Sequence, residues 1–134
     1  MAMLTTQHTN NVSALYLSSL LQWAKLPTLL ALNSSRLTAS CRLLTDVLEQ
    51  LDVKFVTPTH GVFVFAKLAK HASCIEEEKD FYSRLEQHGV RLSPGSIYKG
   101  VDKEFGWTRI RFSVPAKKLE VALERLTAFM TNED

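Results

Sequence analysis

The order in which hydrophobic periodicity changes along the chain leaves few folds open. Residues 12–23, 35–51, 73–88 and 115–130 place apolar side chains at helical spacing, and the runs between them are short and strand-like. The second helical stripe is Leu37, Cys41, Leu44, Leu48 and Leu51; the last is Leu119, Ala122, Leu123, Leu126 and Met130. Residues 53–56 and Val62-Phe63-Val64-Phe65-Ala66 flank a Thr57-Pro58-Thr59-His60-Gly61 turn, and Val90-Arg91-Leu92 and residues 107–113 follow as further strand-like runs. Helix, helix, two strands, helix, two strands, helix predicts an α+β fold: a small, mainly antiparallel sheet with helices packed on one face.

Local signals sharpen the helices. Val12, Leu15, Tyr16, Ser19, Leu20 and Trp23 fall on one face of the first, while Leu17, Leu21 and Ala24 form a second apolar face. Pro27 is expected to interrupt or kink that helix. Ser73-Cys74-Ile75-Glu76 reads as a capping box, and Glu76, Glu77 and Glu78 lie in the first turn, where the helix dipole favours negative charge. His88-Gly89 should end this helix, and Pro115 suits the start of the last.

Composition then narrows the function classes. A chain of 134 residues is expected to hold one domain: a polar tail over residues 1–10 and a folded body over 11–134. The net charge of +2 gives no reason to expect nucleic acid or an anionic membrane as partner. The apolar stretch over residues 12–32 is interrupted by Ser18, Ser19, Gln22, Lys25 and Pro27, so no membrane span is expected, and the polar N-terminus lacks a secretory pattern. Cytoplasmic placement follows as the expectation. Cys41 and Cys74 are too few for a disulfide scaffold or a cysteine zinc site, and Cys41 reads as a small core residue. His8, His60, His71 and His88 have no helical pairing, so no metal site is expected.

Arg109 is the candidate binding residue. In residues 107–113, Trp107, Arg109 and Arg111 share one face, while Thr108, Ile110 and Phe112 share the other, which should meet the helices. A guanidinium on a rigid strand is suited to grip a carboxylate through two parallel hydrogen bonds. The other reading of Arg109 and Arg111 is that both are solvated edge-strand charges. Gly61-Val62-Phe63-Val64-Phe65 loosely matches an RNA-binding strand but lacks the expected basic and small residues, and a bare alternating core strand accounts for it.

From about Asn11 onward the chain resembles the C-terminal small domain of class I/II aminotransferases, the fold-type I pyridoxal-phosphate enzymes. The matching blocks, in order, are Gly61-Val62-Phe63-Val64-Phe65, then Gly89-Val90-Arg91-Leu92-Ser93-Pro94-Gly95-Ser96, then Gly106-Trp107-Thr108-Arg109-Ile110-Arg111-Phe112-Ser113, then Leu119-Glu120-Val121-Ala122-Leu123-Glu124-Arg125-Leu126. The second and third blocks look most like the aminocyclopropane-carboxylate synthase branch.

The resemblance implies that Arg109 binds the substrate's α-carboxylate, orienting the Cα–H bond relative to the cofactor ring. It implies pyridoxal phosphate as the family's cofactor, yet none of the nine lysines lies in the family's Ser-x-Ser-Lys context. Neither Lys67 nor Lys99 has neighbours suited to a Schiff-base lysine. The large cofactor domain is therefore expected to be absent, with no catalytic or cofactor-binding residue here and no transamination by the chain alone. The expected partners are an amino-acid or carboxylate substrate if a large domain completes the site, and a second copy or a large-domain partner. The alternative is a stand-alone, non-catalytic domain that binds a protein or a small carboxylate.

Overall fold

The computed structural model describes residues 11–95 and 104–132. The tail over residues 1–10 with His8, the Ser96 end of the Ser-Pro-Gly-Ser block, and Lys99 lie outside the described residues. In chain order the described elements are α1 (Asn11–Leu21), α2 (Leu26–Gln50), β1 (Phe55–Val56), β2 (Phe63–Lys67), α3 (Ile75–Gln87), β3 (Trp107–Arg111) and α4 (Ala116–Thr131). The chain divides into two compact units, Met1–Ser35 and Arg36–Asp134.

The first unit holds α1 and the first part of α2. Val12, Leu15 and Tyr16 are each 72% exposed, and Leu17, Leu21 and Trp23 are exposed too. Exposure thus extends to both apolar faces of α1. Pro27 does not kink α1: that helix ends at Leu21, and Pro27 sits in the first turn of α2, where its missing N–H has no intrahelical partner to lose. α2 therefore begins at Leu26, well before the Ser35 that the stripe suggests. The polar Asn33-Ser34-Ser35 breaks the apolar pattern without breaking the helix, because polar residues cost little when they face water.

The second unit is built on an antiparallel sheet of order β1-β2-β3. Phe55 pairs with Ala66 and Val56 with Phe65; β2 and β3 pair from Phe63↔Arg111 through Val64↔Ile110, Phe65↔Arg109 and Ala66↔Thr108 to Lys67↔Trp107. Since side chains alternate, this register sends Val64, Ala66, Ile110 and Phe112 into one buried layer. Onto that layer pack Leu44 and Leu48 of α2, Phe81, Tyr82 and Leu85 of α3, and Leu119, Leu123, Leu126, Phe129 and Met130 of α4. Full burial of a leucine such as Leu44 or Leu85 contributes about 1.5–3 kcal/mol. Cys41 packs half-buried against this core as expected, and burial pushes its thiol pKa up.

Two expectations change. Val90-Arg91-Leu92 forms no strand: the Val90 N–H turns back to the Leu85 carbonyl at 3.2 Å and Val90 enters the core, closing the end of α3 after Gly89 at φ +80°. Beyond it, among the described residues, Pro94 alone bridges to Thr108, and a residue without N–H cannot extend the ladder. The start of α3 also differs from the expected box. Cys74 is the N-cap, and Glu77, not Glu76, turns back: its Oε2 accepts the Ser73 N–H at 2.8 Å and the Ser73 hydroxyl at 2.9 Å. These bonds, the backbone one first, hold the Glu77 carboxyl below its usual pKa. Glu78, in the same first turn, is buried at 1% exposed.

Candidate functional site

The face of the sheet opposite the helices carries Phe63, Phe65 and Lys67 from β2 and Trp107, Arg109 and Arg111 from β3. Arg109 is exposed, as its phase against buried Ile110 and Phe112 requires. Its guanidinium carbon lies 4.3 Å from the centroid of the Phe63 ring. Arg111 is exposed on the same face, with Nε donating to Ser113 Oγ at 2.9 Å. Trp107 shares the face but is buried, stacked on Phe65 with centroids 5.9 Å apart. Its indole N–H donates to Glu104 Oε2 at 3.0 Å, and Lys67 and Lys54 approach the same oxygen at 3.8 and 4.0 Å. The indole bond first, then the two ammonium groups, hold the Glu104 carboxyl below its usual pKa.

A polar clamp fixes the start of the strand that presents Arg109. Gly106 sits at φ +87°, and a Cβ there would run into the Ala69 carbonyl oxygen. Both of its backbone groups are held by α3: the N–H donates to Glu78 Oε1 at 3.2 Å, and the carbonyl accepts the Tyr82 hydroxyl at 3.0 Å. The Ala69 N–H donates to the same carbonyl at 3.2 Å. Glu78 Oε2 is buried with no hydrogen-bond partner among the described residues. Burial first, then the neighbouring Glu78 carboxylate, pushes the Tyr82 phenol well above its usual pKa. One residue into the strand, the Thr108 hydroxyl donates to the Ser93 carbonyl at 2.7 Å. Gly95 must be glycine here, because a Cβ would come within 2.5 Å of the Trp107 carbonyl oxygen.

Two of the histidines make local contacts. His60 Nδ1 lies 3.2 Å from Thr59 Oγ1, and His88 Nδ1 lies 2.9 Å from the Arg84 carbonyl with its ring against Phe129. Among the described residues no group of three or more His, Cys, Asp or Glu side chains could hold a metal ion. A cleft of about 540 Å³ opens between residues 68–72 and α3, lined by Lys70, His71, Glu76, Asp80, Phe81 and Arg84, but it does not include Arg109.

Three residues of the Arg109 neighbourhood went unnoticed in the sequence. Phe63 looks like a core residue until the strand phase is fixed by pairing. Glu78 is concealed by its acidic neighbours, although Glu78, Phe81, Tyr82 and Leu85 occupy the i, i+3, i+4 and i+7 positions of one buried stripe. Tyr82 belongs to that stripe as well.

Known proteins share this architecture. The aromatic aminotransferase from Pyrococcus horikoshii superposes with a TM-score of 0.62 at 21% identity, over 74% of this chain and 25% of that one. The Thermus thermophilus aspartate aminotransferase solved with maleate gives 0.60 at 25% identity, over 71% and 23%. In sequence, the probable aminotransferase aclI of Aspergillus oryzae is 29% identical over 94% of this chain, and the 1-aminocyclopropane-1-carboxylate synthase-like protein 1 of Takifugu rubripes is 32% identical over 70%. The chain spans 30% of the length of the first and 15% of the second. The family model described as aminotransferase class I and II matches residues 2–126, so the chain belongs to that family.

Proposed function

We propose that residues 11–134 act as the substrate-binding small domain of a pyridoxal-phosphate-dependent, aminotransferase-like enzyme acting on amino acids, with Arg109 gripping the substrate carboxylate. The observation that carries this reading is the presentation of Arg109: exposed on the sheet face away from the core, on a strand whose start is clamped from α3. A carboxylate meeting the edge of a guanidinium takes two parallel hydrogen bonds, which fixes its orientation as well as its position.

The described residues do not fit the cofactor itself. A Schiff-base lysine works as an uncharged amine in an apolar pocket, whereas Lys54 and Lys67 both pair with Glu104. The first turn of α3 carries three glutamates, unsuited to a phosphate group. We propose that the chain alone is inactive. The exposed apolar residues of α1 support a second copy or a cofactor-bearing domain as partner. The free cysteines Cys41 and Cys74 agree with a reducing, cytoplasmic compartment, and no helix among the described residues is long and apolar enough to cross a membrane.

Titration of the isotope-labelled chain with acetate, followed by NMR at the Arg109 Nε–H, tests the reading. A saturable shift of that resonance is expected, and the accompanying shifts of the Thr108 and Ile110 backbone amides should vanish in Arg109→Gln; an unmoved Arg109 refutes it. Mixing the chain with pyridoxal phosphate should give no lysine-dependent visible absorbance band, and such a band would contradict the assignment of inactivity.

A further inference from the structure

Arg109 stands directly across from Phe65 in the ladder, yet its guanidinium lies over Phe63, the diagonal neighbour, at 4.3 Å. Diagonal cross-strand neighbours are within reach of long and aromatic side chains, so the choice is sterically available. Phe65 is already engaged with Trp107. Phe63 is 38% exposed, while the core-facing positions of β2, Val64 and Ala66, are buried. The core therefore gains little from an aromatic ring at position 63, and another role has to explain it.

We propose that Phe63 is a positioning residue for the carboxylate site, an inference that rests on Arg109 being the carboxylate's anchor. A phenyl ring attracts a guanidinium through its π face and stacks against the flat side of the cation. The N–H groups point outward in the guanidinium plane, and a carboxylate binds in that plane through two of them. Ring and ligand thus use different parts of Arg109 and do not compete. Holding the side chain over the ring also narrows its rotamers, so less conformational freedom is lost when the carboxylate binds. Because the stack is exposed, its effect on affinity is about two- to fivefold.

The test compares Phe63→Leu, which keeps an apolar side chain but removes the π face, with Phe63→Trp, which keeps a face. Acetate affinity is read by NMR at Arg109 Nε–H, beside a thermal melt of each variant. The expected result has three parts: Phe63→Leu weakens acetate binding about two- to fivefold, its melting temperature stays near wild type, and Phe63→Trp restores binding. In the ligand-free Phe63→Leu chain the Arg109 Nε–H should also move downfield as ring-current shielding is lost. Equal acetate affinity in wild type and Phe63→Leu overturns the inference and leaves Arg109 as the anchor. Equal weakening in both variants, together with lowered melting temperatures, overturns it in favour of a packing role. If acetate leaves wild-type Arg109 unmoved, the carboxylate reading fails and the inference falls with it.

Discussion

Gly106→Ala is the substitution whose cost the structure sets most tightly. Gly106 has φ +87°, and a left-handed conformation costs an alanine about 1–2 kcal/mol. The new methyl would also land on the Ala69 carbonyl oxygen, which is backbone and cannot swing aside. The start of β3 must then shift, straining three hydrogen bonds at once: Gly106 N–H to Glu78, Tyr82 hydroxyl to the Gly106 carbonyl, and Ala69 N–H to that carbonyl. At a net contribution of about 0.5–1.5 kcal/mol each, the total loss is about 3–6 kcal/mol. For a unit of this size that lowers the melting temperature by more than about 12 °C. Gly61→Ala is the control, since Gly61 has the same φ but nothing within 4 Å of a Cβ, and should show the conformational cost alone. Urea unfolding followed by tryptophan fluorescence and far-UV circular dichroism measures both. Equal losses at the two positions, or a Gly106→Ala loss under about 1 kcal/mol, would show that the clamp does not hold the strand.

Tyr82→Phe removes one hydroxyl from the same clamp and should cost about 1 kcal/mol by urea unfolding. In wild type the Tyr82 phenol, pushed up by burial, should stay protonated through the range near pH 10 where exposed tyrosines ionise, which ultraviolet titration reads. Glu77 has a folded pKa below its usual 4.5, so its support of the α3 start is fully present above that value and is lost as pH falls through the folded pKa. Amide exchange in the first turn of α3 should therefore rise on acidification, and Ser73→Ala should flatten that dependence. Leu48→Ala in the core should cost about 2–5 kcal/mol, while Val56→Thr on the exposed face should stay within about 0.5 kcal/mol.

Periodicity was enough for the layer arrangement. The α2 stripe through Leu44 and Leu48, the α4 stripe through Leu119 and Leu126, and the opposite phases of Ile110 and Arg109 are all local consequences of residue order. Local signals misled where two reasonable local structures compete. Pro27 suits both a kink and a first turn, and the choice depended on the residues after it adopting helix. Val90 has strand-like neighbours, but closing the end of α3 offered its N–H a partner sooner than any ladder did.

By itself, then, the sequence determined the α+β class, the outward phase of Arg109 and the glycine-bearing blocks that mark the family. Each of these follows from alternation, helical spacing or a fixed string of residues. Tertiary structure alone decided that Phe63 lies under Arg109, that Glu78 is buried, and that Glu78, Tyr82 and Ala69 converge on Gly106. Those contacts join residues far apart in the chain, and their partners are chosen by strand register and helix packing, which no local pattern encodes.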